Sequence, residues 1–382
     1  MKRTDFSAYT SIATLRAIES LDPFMTQDIA MALAEKHTRF ALGTFSHAGC
    51  PPFAGLVLLD GERVVAVDAL RALCAACGHP MPEASSTLSL IEHWPASLTA
   101  LQAAANALSQ PSTAAARMAA DLLVPMSSLR VHPPVAPRQI LLSGANYFKH
   151  VVDIIVDLGP GKTPCTDGMD PSQLRAYAED LMRRRQREGD PYIFSKPVSV
   201  LSGAFDPIVL PPDALQPDWE LELVVVIGEA ARHVKREDAF KHIAGYTIAN
   251  DITDRGRIWT RGDMKAMGTD WISSKSSPTY LPVGPYIVPA SHVADPHDLR
   301  IELKLNGEAK QDESTDDMIF GVARLVEHVS SVVQLLPGDL ICTGSPAGNG
   351  THYNRFLQPG DVVEASITGL GCQRTPVISE RT

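Results

Sequence analysis

Hydrophobic and polar positions along this chain change their period several times, and each change predicts an element. Before residue 37, TLRAIESL and DIAMALAEKH have the spacing of short helices. Residues 38–68 then alternate, so RFALGTF, AGLVLLD and RVVAVDA read as strands, with a turn at HAGCPP and a hairpin marked by Asp60-Gly61. From about 69 to 130 the chain is Ala-rich with helical spacing, and it ends in VHPPVAPRQ, whose prolines favour an extended backbone. Beyond that point short apolar or alternating runs dominate: ILLSGANYF, DPIVLP, WELELVVVIG, YTIANDI, YIVP, LRIELKLNG, DLICTGSP and DVVEASITG. Pro-Gly-Asp recurs at 337–339 and 359–361 as a turn before a strand. Two helices interrupt the strands: 172–189, charged nearly all round, and the amphipathic 323–336.

These shifts divide the chain into an N-terminal domain over 1–130, with a helical extension at 1–36, a linker over 131–139, and a second domain over 140–382. The class expected is α+β and β-rich. Neither a repeat of fixed period nor a glycine-rich nucleotide loop after a strand occurs.

Charge narrows the partners. Among 382 residues, 34 Lys and Arg face 44 Asp and Glu, a net charge of -10, so no basic field exists to neutralise a nucleic-acid backbone. The sequence has no run near the ~20 apolar residues of a membrane span, and its start lacks the apolar stretch of a leader. A cytoplasmic protein that binds neither nucleic acid nor membrane is expected. Six scattered cysteines suit a reducing compartment, and the Cys74-x-x-Cys77 pair, in an Ala/Leu helical pattern without a second pair, reads as small buried hydrophobes.

The candidate chemistry starts at DWELELVVVIG. Residues two apart on a strand share a face, so Glu220 and Glu222 project together about 7 Å apart at Cα, opposite Leu221 and Leu223. Because VVVIG is apolar on both faces, the strand reads as interior, where paired carboxylates need a cation or a shared proton; on an exposed edge they would simply be solvated. Asp251 ends the apolar strand of GYTIANDITDRGR, as a third oxygen donor or as a turn residue. Three carboxylates suit Mg²⁺, Mn²⁺ or Ca²⁺ rather than zinc. In SGANYFKHVVD, His150 and Asp153 lie three apart on one helical face, where a carboxylate can orient an imidazole and raise its basicity; a surface histidine is the alternative.

Taken in order, these segments resemble the fumarylacetoacetate hydrolase family over most of residues 138–376. SGANYFKH resembles the family's G-x-N-Y-x-x-H, FSKP its F-x-K-P, WELELVVVIG its E-x-E-L strand, GYTIANDIT its G-Y-x-x-x-N-D, and GDLICTGSPAGNG its G-D-x-I-x-T-G-T-P-x-G-x-G. VGPYIVP and LNGEAKQDESTDDMIF fall between, and residues 37–130 resemble the small N-terminal domain of longer members. The resemblance implies a mixed β-roll with a small N-terminal α/β domain, a homodimer, and one divalent cation held by Glu220, Glu222 and Asp251, with Mg²⁺ expected and Mn²⁺ or Ca²⁺ as alternatives. It implies that His150, oriented by Asp153, activates water, that Lys275 and Arg255 stabilise an oxyanion and hold substrate, and that Asn146, Tyr147 and Thr343 line the substrate site.

The implied activity is hydrolysis of a carbon-carbon bond in a 2,4-dioxo acid of acylpyruvate type, through a metal-stabilised enolate, as in the catabolism of aromatic compounds. A lyase, hydratase, isomerase or 2-oxo acid decarboxylase of the same family is the alternative, and a weakly active or non-catalytic binding protein a second one. Four departures stand out: Asp153 replaces the usual Glu, Ile258 the usual Gln with Arg257 the nearest substitute donor, Ser143 a carboxylate of some members, and residues 154–192 form an insertion. That insertion reads as a lid over the site, a solvated helix or a dimer contact. Lys196 of F-x-K-P reads as structural support or as part of the site.

Overall fold

In the computed structural model, residues 38–259 and 262–380 are described; the helical extension expected over 1–36 lies outside the described residues. The alternating N-terminal runs form strands β1 (Phe40–Ser46), β2 (Phe53–Leu58) and β3 (Arg63–Ala66). With β4 (Val124–Pro125) and β5 (Arg130–Val131) they build an antiparallel sheet of order β4-β3-β2-β1-β5. The hairpin sets Leu58 opposite Arg63, and Gly61 turns it with φ of 82°.

The Ala-rich stretch forms helices α1 (Arg71–Ala76), α2 (Thr87–Glu92), α3 (Trp94–Ser109) and α4 (Ala114–Ala120). Their apolar positions, among them Leu73, Ile91, Trp94 and Leu101, pack with Leu42 and Leu56 in a core that also takes in Val224, Val226 and Leu340. The proline-rich segment after β5 is extended but pinned: His132 N donates to Thr44 O at 3.0 Å, and Val135 is buried. Cys74 is buried as expected, with its thiol on the Ala100 carbonyl at 3.5 Å, but Cys77, three residues on at the end of α1, is exposed, and all six cysteines are free.

The central sheet has the order β7-β6-β18-β11-β12-β14-β8. It comprises β6 (Ile140–Gly144), β7 (Tyr192–Lys196), β8 (Leu201–Gly203), β11 (Leu221–Ile227), β12 (Ile243–Asn250), β14 (Leu281–Val283), β15 (Val288–Pro289), which pairs with β12, and β18 (Leu340–Cys342). A second sheet joins β9 (Ile208–Leu210), β16 (Arg300–Leu305), β17 (Glu308–Ser314), β19 (Val362–Ile367) and β20 (Cys372–Ser379). A short pair, β10 (Pro217–Asp218) with β13 (Thr253–Asp254), completes the strands.

Strand β11 is buried on both faces. Leu221, Leu223 and Val225 share a core with Ile301, Leu303 and Val363 of the second sheet, while Val224 and Val226 face the N-terminal core. This double burial is what the unbroken VVVIG run requires. The sheets curl into half-barrels, giving a mixed, β-rich fold about a third helical. Strands β7, β17 and β20 carry too little apolar alternation to be foreseen.

Helix α5 (Phe148–Leu158) follows β6, and α6 (Pro171–Glu188) spans the insertion. Leu174, Ala178 and Met182, four apart, form a narrow buried stripe on the otherwise charged α6 and join the core that holds Val151, Val152 and Ile155 of α5. The remaining α-helices among the described residues are α7 (Trp271–Lys275), α8 (Val322–Val332), which ends four residues short of its expected limit, and α9 (Gly350–Tyr353). No helix among the described residues is long and apolar enough to cross a membrane.

Candidate metal centre and active site

Two neighbouring strands build the acidic centre. Antiparallel pairing sets Leu221 opposite Asn250, Asp251 N donates to Glu220 O at 2.8 Å, and Glu220 N donates to Asn250 Oδ1 at 2.9 Å. One carboxylate oxygen from each of Glu220, Glu222 and Asp251 then lies within 4.8 Å of the others, all buried.

Three cations surround this cluster. Lys275, at the end of α7, donates to Glu220 Oε2 at 3.1 Å, to Thr253 Oγ1 at 2.6 Å and to Asp251 Oδ2. Lys196 donates to Asp251 Oδ1 at 2.7 Å and to the carbonyls of Tyr280 and Ile252 at 2.7 and 3.2 Å. Arg255 pairs through Nη2 with Glu220 Oε1 at 2.6 Å and through Nε with Asp218 Oδ2 at 2.9 Å.

Burial alone would raise Glu220, but Arg255 and Lys275 overcome it and hold this carboxyl at about 2. Glu222 has the opposite balance: burial, then the charges of Asp251 and Glu220, push it well above the usual carboxylate range. Its hydrogen-bond donor is the Gly344 N–H at 2.7 Å, and no Lys or Arg among the described residues forms an ion pair with it. A buried carboxylate without a cation, converging with two others, is the donor set of a hard divalent ion, so the residues fit one.

The positions expected to line the substrate separate into two kinds. Asn146 is a clip whose Nδ2 donates to Thr343 O at 2.8 Å and Phe320 O at 3.0 Å, and whose Oδ1 accepts from Phe320 N at 2.9 Å. It ties β6 to β18, which run parallel with Leu142 beside Cys342. By contrast, the hydroxyls of Tyr147, Thr343 and Ser143 are buried without a hydrogen-bond partner among the described residues, and burial pushes the Tyr147 phenol up. The Thr343 hydroxyl opposes that rise.

His150 stands half-buried on the first turns of α5, where burial and then Arg255 pull it down to about 4, leaving the ring neutral at neutral pH. Asp153 does not bond it. Its Oδ1 accepts from Arg175 Nη2 of the insertion helix at 3.0 Å. Ile258 is buried and donates nothing from its side chain, while Arg257, the nearest substitute donor, pairs with Asp213 and Asp254 at 2.6 and 3.2 Å. The second oxyanion donor expected there is therefore absent among the described residues.

The sequence reading left Asp218 without a role. Fully buried, it accepts from Arg255 Nε, from Gly350 N at 2.6 Å and from Thr351 Oγ1 at 3.0 Å, so it orients the arginine that grips Glu220 and anchors the start of α9. Its position directly before Trp219-Glu220 was the available signal.

Residues 165–378 match the family description Fumarylacetoacetate (FAA) hydrolase C-terminal. The chain is 42% identical over 184 residues to the oxaloacetate tautomerase FAHD2A, mitochondrial, of Homo sapiens, a match that covers 48% of this chain and 57% of the relative. It is 41% identical over 191 residues to the 2,4-didehydro-3-deoxy-L-rhamnonate hydrolase of Sphingomonas sp. (strain SKA58), covering 49% of this chain and 65% of that one. The matches thus span rather more than half the length of these relatives. Among solved structures, the maleylpyruvate hydrolase from Sphingobium sp. SYK-6, in complex with manganese(II) ion and pyruvate, superposes with a TM-score of 0.62 at 26% identity, over 89% of this chain and 100% of that one. With the family match covering more than half of its residues, the chain belongs to the fumarylacetoacetate hydrolase family.

Proposed function

We propose that the protein is a divalent-metal-dependent enzyme that carries 2-oxo and 2,4-dioxo acids through their enolates, with enol-keto tautomerisation as its main reaction. One observation carries the choice of reaction: Asp153 accepts from Arg175, so its carboxylate does not hydrogen-bond the His150 ring and orient it toward water, although its charge still acts on the imidazole. Bound by Glu220, Glu222 and Asp251, a divalent cation supplies a Lewis acid for adjacent substrate oxygens. Lys275 and Arg255 bring positive charge to the developing enolate oxygen. Tyr147 and Thr343 offer unpaired hydroxyls to the substrate, and neutral His150 accepts the enol proton and returns it to carbon. The kinship with an oxaloacetate tautomerase supports this reading.

Hydrolysis of the carbon-carbon bond of an acylpyruvate-type acid is the second reading, favoured by the neutral His150 beside the acidic cluster and by the likeness to a maleylpyruvate hydrolase. It requires Asp153 to exchange Arg175 for His150. The cation proposed is Mg²⁺, with Mn²⁺ or Ca²⁺ as alternatives, the assembly a homodimer and the compartment the cytoplasm. Metal content of the purified protein, light scattering and cell fractionation test these three.

The deciding experiment incubates the protein and Mg²⁺ or Mn²⁺ with oxaloacetate and a panel of 2,4-dioxo acids, following near-ultraviolet absorbance and identifying products. Faster decay of the enol without a new acid supports tautomerisation, and equal amounts of pyruvate and a second carboxylic acid support hydrolysis. Turnover of neither substrate class would leave a binding protein and sink both readings.

A further inference from the structure

Helix α6 meets the histidine helix through three arginines as well as through its apolar stripe. Arg185 Nη1 donates to the carbonyl of Ala145 at 2.9 Å, with its guanidinium 5.6 Å from the centre of the Phe320 ring, and Arg183 lies 5.9 Å from the centre of the Phe148 ring. Ala145 has a φ of 52°, a conformation that a firm carbonyl partner helps to hold at the entry to α5. These two arginines brace the start of the helix. The third, Arg175, takes the carboxylate that the i, i+3 spacing offers to His150.

The pairing is a built contact, because Leu174 is buried next to Arg175 and fixes its backbone against α5. It is also releasable. The Arg175 side chain is 48% exposed and that of Asp153 20%, and an ion pair in contact with water is weak. Glu179, one helical turn on, is drawn off by Arg183 at 3.0 Å and does not compete for Arg175.

We propose that Arg175 is a positioning residue that selects between the two reactions open to this site, an inference that rests on the enolate chemistry proposed above. While Arg175 holds Asp153, that carboxylate is not hydrogen-bonded to His150, and proton transfer between enol oxygen and carbon prevails. Once it lets go, Asp153 accepts from the imidazole. His150 then takes a proton from water, the water oxygen bonds to the distal carbonyl carbon, and the carbon-carbon bond breaks. Its electron pair passes to the leaving enolate, which is protonated at carbon, so one acid and one 2-oxo acid leave for each water consumed.

The test compares Arg175→Met, Arg175→Lys and the double variant Arg175→Met with Asp153→Asn, each with Mn²⁺, on two probes: cleavage of 2,4-dioxopentanoate and enol decay of oxaloacetate. Freeing Asp153 is expected to raise kcat for cleavage by about tenfold with KM and the oxaloacetate rate within about twofold of the wild type. Arg175→Lys should keep the wild-type ratio, and the double variant should lose the gain. In the metal-free protein, ¹⁵N shifts of the His150 ring should report a changed tautomer in Arg175→Met. Unchanged or reduced cleavage in that variant, or a gain that survives Asp153→Asn, would overturn the proposal. If neither probe is turned over by any variant the proposed function falls, and a His150 tautomer unaltered in Arg175→Met then overturns the role of Arg175 as well.

Discussion

Lys196 Nζ and Asp251 Oδ1 lie 2.7 Å apart with both side chains wholly buried, so one carboxylate of the candidate metal site has an internal lysine partner. The other oxygen of Asp251 is taken by Lys275. Removing Lys196 leaves that carboxylate short of a cation and strips the Tyr280 and Ile252 carbonyls of their donor. Lys196→Met is expected to cost about 3 kcal/mol of unfolding free energy, read by urea denaturation of the metal-free protein. A cost near zero would mean the pair is not formed.

Uptake of the metal is expected to release protons. Glu222 is pushed well up by burial and by Asp251 and Glu220, so the metal-free site favours its neutral form, and a cation must displace that proton. Affinity for Mn²⁺, measured by calorimetry, should be tighter at about pH 8 than at about pH 6. In Glu222→Gln the affinity should be weaker and its dependence on pH flatter.

Tyr147 is fully buried with a hydroxyl that has no hydrogen-bond partner among the described residues, a group that costs stability unless something binds it. Tyr147→Phe is therefore expected to leave thermal stability unchanged or slightly raised, while KM rises about tenfold if the substrate accepts that hydroxyl. A fall in stability with KM unchanged would assign the hydroxyl to the fold.

Asp317 gives a pH effect on stability. Burial raises its carboxyl to about 6, against the opposing Lys149 N–H that it accepts at 2.9 Å. Its folded value lies above the unfolded one, so its contribution is complete below the ordinary carboxylate range and is lost as pH rises through about 6. Asp317→Asn should be more stable than the wild type above about pH 7, with no gain near pH 4, and solvent screening keeps the difference below about 1 kcal/mol. Chemical denaturation at the two pH values checks it.

Glu220 and Glu222 could be singled out from sequence because an E-x-E pair opens a strand apolar on both faces, whereas Asp251, which the structure brings beside them, read equally as a turn residue. The partners of those carboxylates were harder to foresee. Lys196 is 55 positions from Asp251, and nothing local to F-x-K-P says that its ammonium turns inward. Arg175 reaches Asp153 across 22 positions and an insertion whose docking depends on three residues of a charged helix. Strand β17 was not foreseen because EAKQDES has no apolar period. Its one buried polar residue, Gln311, accepts from Leu221 N at 3.1 Å and donates to Ser345 Oγ at 3.0 Å, holding the mouth of β11 to the loop after β18. Long-range polar pairing of this kind leaves no periodicity to read.

Pairing of β11 with β12 in the register Leu221 to Asn250 has a consequence for assembly of the chain. A slip by one residue would turn Glu220 and Glu222 toward the opposite face and bring Leu221 and Leu223 to where they stood. Capture of the proposed cation would then be a fingerprint of correct annealing between these two strands. Misregistered molecules would fail on an immobilised-metal or calorimetric assay before any question of turnover arose.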